Sequence, residues 1–311
     1  MSLPEAKPKR IRLSTILKLV ISIIILFFLF RYANLPLIVA NLKRLNVWLF
    51  LVNFLILPFS ILIRSYRWTL ILNNDERKIT LYDSFILSWI GLALNLVLPA
   101  STGEVARAYY GYKKLGIKEE MLSSSLTDKL VGLIAIFVVG GISSAVFGLY
   151  QVALLSLIVV TIFSIFVYVP RAVPWGILNK LLDRFFKFQF DYHKLIDGAT
   201  MSFNVKVSTM TLSLIAWVIT FFQFFLVGRM FAVDVSFLYV LAVAPIIAIA
   251  KVFPLTLSGL GSQEAIVVYL FGLTGIKASS ALLVSLFFSF YYVVIPGLIG
   301  YLLILSFKER A

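Results

Sequence analysis

Apolar segments suited to crossing a membrane recur along the whole chain, and no other feature constrains the fold as strongly. A helix of roughly 20 apolar residues crosses the hydrocarbon core of a bilayer. Six such segments lie near residues 19–30, 46–63, 126–147, 152–169, 210–231 and 281–305. Of the 311 residues, 61% are hydrophobic and 14% are charged, whereas soluble domains carry about 25% charged residues. The sequence therefore predicts an all-α polytopic membrane protein whose first span is an uncleaved signal anchor.

Two further apolar segments, at about residues 81–98 and 237–253, end in breaks rich in proline and glycine. The breaks cover residues 99–103 and 254–262, and each is followed by a short segment that leads back. The charges around each segment indicate that it starts and ends on the same side of the membrane, so it has not crossed. We therefore expect two re-entrant helical hairpins in addition to six full spans.

The distribution of the 28 basic residues predicts the orientation. Most of them fall on one side of the predicted topology, which the positive-inside rule assigns to the cytoplasm. Both termini are therefore expected in the cytoplasm, with the protein integral to the cell membrane. Arg64 and Arg67 follow the second span, and we interpret them as positive-inside anchors rather than ligands. Residues 171–206 are predicted to form a cytoplasmic amphipathic insertion, with a small soluble insertion as the alternative.

The two breaks resemble each other in the order of their residues. Each contains proline, a hydroxyl residue, glycine and glutamate, then tyrosine, and later a Gly-Ile-Lys triplet beginning at Gly116 or Gly275. The two halves, residues 1–150 and 151–311, enter the membrane from opposite faces in the predicted topology. This pattern is typical of the inverted repeats of transporters. Gly-Ile-Lys alone would be a chance match.

Irregular backbone at membrane depth persists only where it is buried in protein or lines a wet cavity. Two facing breaks therefore predict a cavity, with helix N-termini at Glu104 and near Glu264 pointing into it. Such a site suits an anionic group such as phosphate. The candidate binding residues are the charged groups within or beside apolar segments and the residues of the breaks: Glu104, Arg107, Asp128, Lys129, Lys251, Glu264, Ser101, Gly103, Gly259 and Gly261.

Several of these residues also have structural interpretations. Glu104 could cap its helix, and Arg107 could form a salt bridge with Glu104 one turn away. Lys251 could snorkel to the surface. Asp128 and Lys129 could lie at the cytoplasmic end of the third span, where charges are easily solvated.

Composition excludes several kinds of chemistry. The chain has no cysteine and one histidine, His193, so disulfides, a thiolate nucleophile and a cysteine or histidine metal centre are not expected. We expect neither metal nor cofactor. The net charge of +14 points to cytoplasmic loops and anionic lipids rather than to nucleic acid.

Three motifs carry a family resemblance: LPASTGEVAR at residues 98–107, DKLVGL at 128–133 and FPLTLSGLGSQE at 253–264. They resemble the transmembrane region of lysylphosphatidylglycerol synthases and the related stand-alone UPF0104-type membrane proteins. In the bifunctional synthases this region moves aminoacylated phospholipid between leaflets, so the resemblance implies lipid translocation. Synthase activity is not expected, because no aminoacyl-transfer domain follows in this sequence. The resemblance also implies a polar cavity lined by Glu104, Arg107, Asp128, Lys129 and Glu264.

Three positions depart from the family pattern. The family commonly has arginine where this chain has Lys129, Gln263 and Ser289. With fewer guanidinium groups, the preferred headgroup is expected to differ from that of lysylphosphatidylglycerol.

Together these features predict a flippase for a lipid with an anionic headgroup, such as a polyprenyl phosphate, a polyprenyl-linked sugar or a phospholipid. The sequence has no Walker motif for ATP, so transport is expected either to follow a lipid gradient or to couple to protons or another ion, with Glu104 and Glu264 as candidate proton carriers. The protein is not expected to be an enzyme. Two alternatives remain: an integral-membrane enzyme acting on a lipid-linked phosphate or sugar, and an ion or solute transporter.

Overall fold

The elements that the structure describes are all helices, as expected for a backbone that must satisfy its own hydrogen bonds in hydrocarbon. The computed structural model describes residues 13–43, 45–74, 76, 78–96, 98, 103–169, 201–252, 256 and 259–308. In chain order the helices are α1 (Leu13–Ala33), α2 (Leu35–Leu42), α3 (Val47–Leu72), α4 (Leu81–Leu94), α5 (Gly103–Leu115), α6 (Lys118–Val146), α7 (Tyr150–Tyr168), α8 (Phe203–Met230), α9 (Phe237–Val252), α10 (Ser262–Gly272), α11 (Ala278–Ser289) and α12 (Ile295–Lys308), with a π-helical turn at Phe290–Val294 joining the last two.

Within the part of the chain that the structure describes, five elements are long and apolar enough to cross a membrane: α3, most of α6, α7, α8 and the continuous segment formed by α11 and α12. A sixth span exists if α1 and α2 form one span, although they meet at an angle of 80°. The bend falls at Asn34, whose φ of 63° is left-handed. The prediction of an all-α polytopic membrane protein is therefore confirmed, with five or six spans.

The second span is longer than the sequence pattern indicated. Asn46 caps its start by accepting a hydrogen bond from the backbone N–H of Leu49 at 3.2 Å. The helix then continues to Leu72 instead of ending near residue 63. Arg64 and Arg67 consequently lie within α3 and not beyond its end.

The two short apolar helices α4 and α9 are where the half-crossings were expected. Helix α5 packs back against α4, and α10 packs back against α9. The order of a long helix, two short helices and a long helix thus occurs in both halves of the chain. That the hairpins are re-entrant and that the halves are inverted relative to each other stay predictions.

The predicted insertion at 171–206 lies outside the described residues up to residue 200. Its last residues are helical, because α8 begins at Phe203 rather than near residue 210. Helix α8 packs against α3, α6, α9 and α11. Phe224 of α8 anchors this core, since its ring lies 4.7 Å from the ring of Phe288 and 5.8 Å from that of Phe271. The packing of α3 and α6 against α8, and of α5 against α6, positions the polar site described next.

Candidate functional site

A single buried carboxylate joins three helices. Asp128 of α6 accepts a hydrogen bond from Nε of Arg67 on α3 and another from Nη2 of Arg107 on α5, both at 2.6 Å. Asp128 is only 3% exposed, and both arginines are buried. Because one negative charge faces two guanidinium groups, this cluster keeps a net positive charge inside the protein.

The remaining contacts fix both guanidinium groups. Nη1 of Arg67 donates to the hydroxyl of Ser213 on α8 at 2.8 Å, and Nη1 of Arg107 donates to Ser88 on α4 at 3.1 Å. The Arg107 guanidinium also lies 3.9 Å from the centre of the Trp68 ring. A cation above an indole face is stabilised by the ring quadrupole. The arginines are therefore held in place before any ligand binds.

A third arginine lies beside this cluster. Arg64 of α3 donates a hydrogen bond to Thr220 of α8 at 2.9 Å and another to the hydroxyl of Tyr292. Its guanidinium lies 5.1 Å from the Trp217 ring centre and 5.2 Å from that of Tyr292. Two aromatic rings and two hydroxyl groups thus hold Arg64 in place.

A cavity of about 140 Å³ is lined by the three arginines and Asp128, among other residues. This volume is much larger than one water molecule requires. Four cations, Arg64, Arg67, Arg107 and Lys129, and two carboxylates, Glu104 and Asp128, face it, which gives a formal net charge of +2. The other lining residues are mainly apolar or aromatic and include Ile61, Leu92, Leu133, Trp217 and Val293. Guanidinium groups bind phosphate oxygens in a fork-like geometry. The cavity is therefore chemically suited to an anionic group with an apolar attachment.

Four of the candidate residues meet at this cavity: Glu104, Arg107, Asp128 and Lys129. The ion pair that Arg107 makes is with Asp128 rather than with Glu104, contrary to the alternative considered from the sequence. Gly103 begins α5 next to the cavity and is buried. Ser101 and the Lys251 side chain lie outside what the structure describes.

Glu264 belongs to a second polar cluster, apart from the residues that line the cavity. Its Oε2 accepts the backbone N–H of Gly261 at 2.6 Å, and its Oε1 accepts the Ser289 hydroxyl at 2.8 Å. The Gln263 amide donates to the hydroxyl groups of Ser285 and Ser289. Glu264 thus caps α10 from within a buried cluster that is separate from the cavity. Most residues of the two breaks lie outside the part of the chain that the structure describes, so a cavity between the breaks stays a prediction.

Gly259 and Gly261 of the second break lie in the turn that precedes α10. Gly261 has φ of 92° and Gly259 has φ of 80°, backbone conformations that residues with a Cβ rarely adopt. The backbone N–H of Gly261 can therefore point at Glu264. Both glycines are buried, and neither is among the cavity-lining residues.

Arg64 and Arg67 do not lie where the sequence pattern predicts. The pattern predicts two membrane anchors beyond the end of a span, but Arg67 is buried and paired with Asp128, and both residues line the cavity. The available signal was the apolar run after Arg67, which continues α3 and places these charges within the helix. Tyr292 also lines the cavity, and nothing in its sequence context distinguished it from a packing residue.

The family model for the lysylphosphatidylglycerol synthase transmembrane region matches residues 15–300 of this chain. The chain belongs to this family. Among its relatives is a UPF0104 membrane protein of Methanocaldococcus jannaschii, 24% identical over 328 residues and matched over 97% of each chain. A UPF0104 membrane protein of Methanothermobacter thermautotrophicus is 27% identical over 291 residues, covering 81% of this chain and 82% of the relative. A second UPF0104 membrane protein of that organism is 24% identical over 313 residues, and the match covers 89% of this chain and 88% of the relative. Membership in the lysylphosphatidylglycerol synthase transmembrane family agrees with the resemblance seen in the three motifs, and it relates the protein to lipid handling in membranes.

Proposed function

We propose that this protein moves a lipid with an anionic headgroup between the leaflets of a membrane. The cargo class comprises polyprenyl phosphates, polyprenyl-linked sugars and phospholipids, which share a phosphate attached to apolar tails. The proposal is supported by family membership and by a cavity whose charged and apolar residues match the two parts of such a molecule. In this proposal the cargo is carried and not chemically changed.

The excess of positive charge in the cavity is the observation that carries the proposal. Charged side chains within membrane proteins are costly and mark sites of substrate or ion passage. Four cations face two carboxylates here, a formal excess of +2, so an incoming phosphate would cancel the excess as a dianionic monoester or halve it as a phosphodiester. Nε of Arg107 is also buried without a hydrogen-bond partner among the described residues, and an anion in the cavity would provide one.

The arrangement of the cations suggests how the phosphate is held and released. Arg67 and Arg107 share Asp128, which weakens the attraction of each for a ligand. Among the described residues, the hydrogen-bond acceptors of Arg64 are two hydroxyl groups and no carboxylate. A carrier must bind its cargo strongly enough to select it and weakly enough to release it. Arg64 is therefore the residue whose loss should weaken headgroup binding most directly.

The proposal is tested by native mass spectrometry of the gently purified protein. The wild-type protein is expected to retain a phospholipid or polyprenyl phosphate, and Arg64→Gln is expected to lose it. The matched control is Arg229→Gln, because Arg229 also lies over an aromatic ring, 5.1 Å from the centre of Phe225, but does not line the cavity. Equal lipid retention by both variants, or none by the wild type, would contradict the proposal.

A liposome assay completes the test. Protein reconstituted with a fluorescent phospholipid should expose inner-leaflet lipid to an outer reducing agent, and Arg64→Gln should slow this exposure. The mass of the cargo distinguishes the main alternatives. A changed lipid mass after incubation would indicate an enzyme, whereas movement of small ions or solutes without lipid movement would indicate a solute transporter.

A further inference from the structure

A line of buried polar side chains runs between α3 and α8, away from the cavity. It consists of Asn53 and Ser60 on α3 and of Thr220 and Gln223 on α8, and we call these four residues the polar seam. None of them is more than 1% exposed. The two helices pack directly against each other, so the seam lies inside the protein.

The seam is continuous with the cavity. Arg64, which lines the cavity, donates a hydrogen bond to Thr220 at 2.9 Å, and Ser60 lies one helical turn from Arg64. Gln223 follows on α8 and donates from Nε2 to the backbone carbonyl of Asn53 at 3.2 Å. At a rise of 1.5 Å per residue, the distance along α3 from Arg67 to Asn53 is about 21 Å. The cavity and the seam together therefore extend across about two-thirds of a hydrocarbon core of roughly 30 Å.

The polar atoms of the seam are unusual because most of them have no partner. Among the residues that the structure describes, both side-chain heteroatoms of Asn53, the hydroxyl of Ser60 and Oε1 of Gln223 lack a hydrogen bond. Neighbouring hydroxyl residues on the same helices differ, since Ser65 donates to the carbonyl of Ile61 and Ser213 to that of Thr209, both at 2.7 Å. Buried polar atoms left without a partner destabilise a protein. Water or another polar group in the seam would supply the missing partners.

The chemistry of the seam differs from that of the cavity. Amides and hydroxyls both donate and accept hydrogen bonds but carry no charge. A second cluster of arginines would hold an anionic headgroup tightly, whereas neutral groups exchange hydrogen bonds with water and with hydroxyl groups at little cost. Neutral groups in a row therefore suit passage rather than storage.

We propose that the polar seam is a hydrated route along which the headgroup leaves the cavity for the opposite side of the membrane. This inference rests on the proposed lipid translocation and adds its path. The cavity cations hold the phosphate first, and the amides of Asn53 and Gln223 then bind the water and hydroxyl groups that move with the headgroup. The lipid tails stay in the bilayer.

Hydration of the seam can be measured without any transport assay. The chain contains no cysteine, so Ser60→Cys and Gln223→Cys each introduce a single thiol. In liposomes, a membrane-impermeant charged methanethiosulfonate should label both at least about tenfold faster than a thiol in dry protein, because only a hydrated thiol forms the reactive thiolate. Val227→Cys is the matched control, since it lies one turn from Gln223 on α8 and is fully buried in the apolar core. Leu55→Cys, 71% exposed on α3, controls for a thiol facing lipid.

The second part of the test measures lipid translocation after polar side chains of the seam are replaced by apolar side chains of similar shape. Asn53→Leu and Gln223→Met are each expected to slow lipid translocation at least about tenfold, as for the loss of one hydrogen bond in the transition state. Lipid retention in native mass spectra should be unchanged, because the cavity cations remain. The thermal stability of Asn53→Leu should be unchanged or higher, since neither heteroatom that it removes has a partner among the described residues. Gln223→Met also removes the hydrogen bond from Nε2 to the Asn53 carbonyl, so its stability should be unchanged or slightly lower. Ser65→Ala is the control with a buried serine on the same helix whose hydroxyl already has a partner.

The outcomes distinguish failure of the proposed route from failure of the proposed lipid translocation. Labelling of the seam cysteines at the rate of Val227→Cys would overturn the route whatever the protein carries. Full translocation by Asn53→Leu and Gln223→Met would also overturn it while leaving lipid translocation intact. A wild-type protein that moves no lipid would overturn the proposed function and the lipid route together. Fast labelling combined with slowed translocation and retained lipid would support the route.

Discussion

Asp128 is a buried carboxylate that pairs with two arginines. Its two oxygens are divided between Arg67 and Arg107, which approach from different helices. Removing one partner of a buried ion pair leaves an uncompensated charge, which costs far more than the pair itself contributes. Here the loss would leave two guanidinium groups facing each other across the cavity.

We therefore expect Asp128→Asn to be strongly destabilising, by about 3–5 kcal/mol. Thermal unfolding of the purified protein in detergent measures this loss. The matched control is Asp234→Asn, because Asp234 also pairs with an arginine, Arg229, but its side chain is 91% exposed. Exposed pairs contribute little, so the control should unfold at the wild-type temperature. A similar small shift for both variants would refute the structural role of Asp128.

At the scale of elements, the α4–α5 hairpin carries Ser88 and Arg107 to the cavity. Its closed end depends on Gly103, whose backbone N–H donates to the side-chain oxygen of Asn95 at 2.7 Å. A Cβ at this position would lie 2.4 Å from the backbone nitrogen of Asn95 and 2.5 Å from the carbonyl oxygen of Gly91. These are backbone atoms that cannot yield, so glycine is required where α5 begins.

Gly103→Ala is expected to force α5 away from α4 and lower stability by at least about 2 kcal/mol, the range of overpacked buried sites. Retention of lipid should fall with it, because Arg107 moves with α5. Asn95→Ala removes the hydrogen bond without a clash and should have a smaller effect. Gly272→Ala is the control, since a Cβ there meets nothing within 4 Å. Wild-type stability and lipid retention in Gly103→Ala would show that the hairpin is looser than the structure indicates.

At the scale of the whole molecule, the two halves share an order of helices but differ in charge. The first half supplies Arg67, Arg107 and Asp128, joined by ion pairs. The second supplies Gln263 and Glu264 with two serines, and the contacts among these four described residues are hydrogen bonds between neutral groups and one carboxylate. We interpret the second cluster as structural support for α10 and the first as the binding region. Two halves with the same order of helices can differ in this way because helix order does not fix which polar side chains each half buries.

The inverted arrangement of the halves is tested by accessibility. Lys113 near the end of α5 and Lys277 before α11 are predicted on opposite sides of the membrane. In right-side-out vesicles, an impermeant thiol reagent should label Lys277→Cys from outside, and Lys113→Cys only after the vesicles are opened. Labelling of both from the same side would overturn the inverted repeat, and the cysteine-free wild type provides the zero control.

How far the sequence predicts the site varies from residue to residue. Glu104, Arg107, Asp128 and Lys129 stood out because charge within an apolar segment requires a reason, and all four line the cavity. Arg64 and Arg67 did not, because arginines after an apolar run usually mark its cytoplasmic end. Glu264 stood out equally, yet it lies in a separate cluster, since a carboxylate at a helix start can be satisfied by local donors.

The sequence by itself determined that the described elements are helices, that they can span a membrane and where most of them lie. The physical reason is local: in a membrane each segment must satisfy its own backbone hydrogen bonds, and the bilayer fixes the length that spans it. The tertiary structure alone decided which charges meet. Asp128 lies 61 residues from Arg67 and 21 from Arg107 in the sequence, and Arg67 lies 146 from Ser213. These contacts depend on how the helices pack and rotate against one another. That packing involves every face of each helix, so no single segment of sequence determines it.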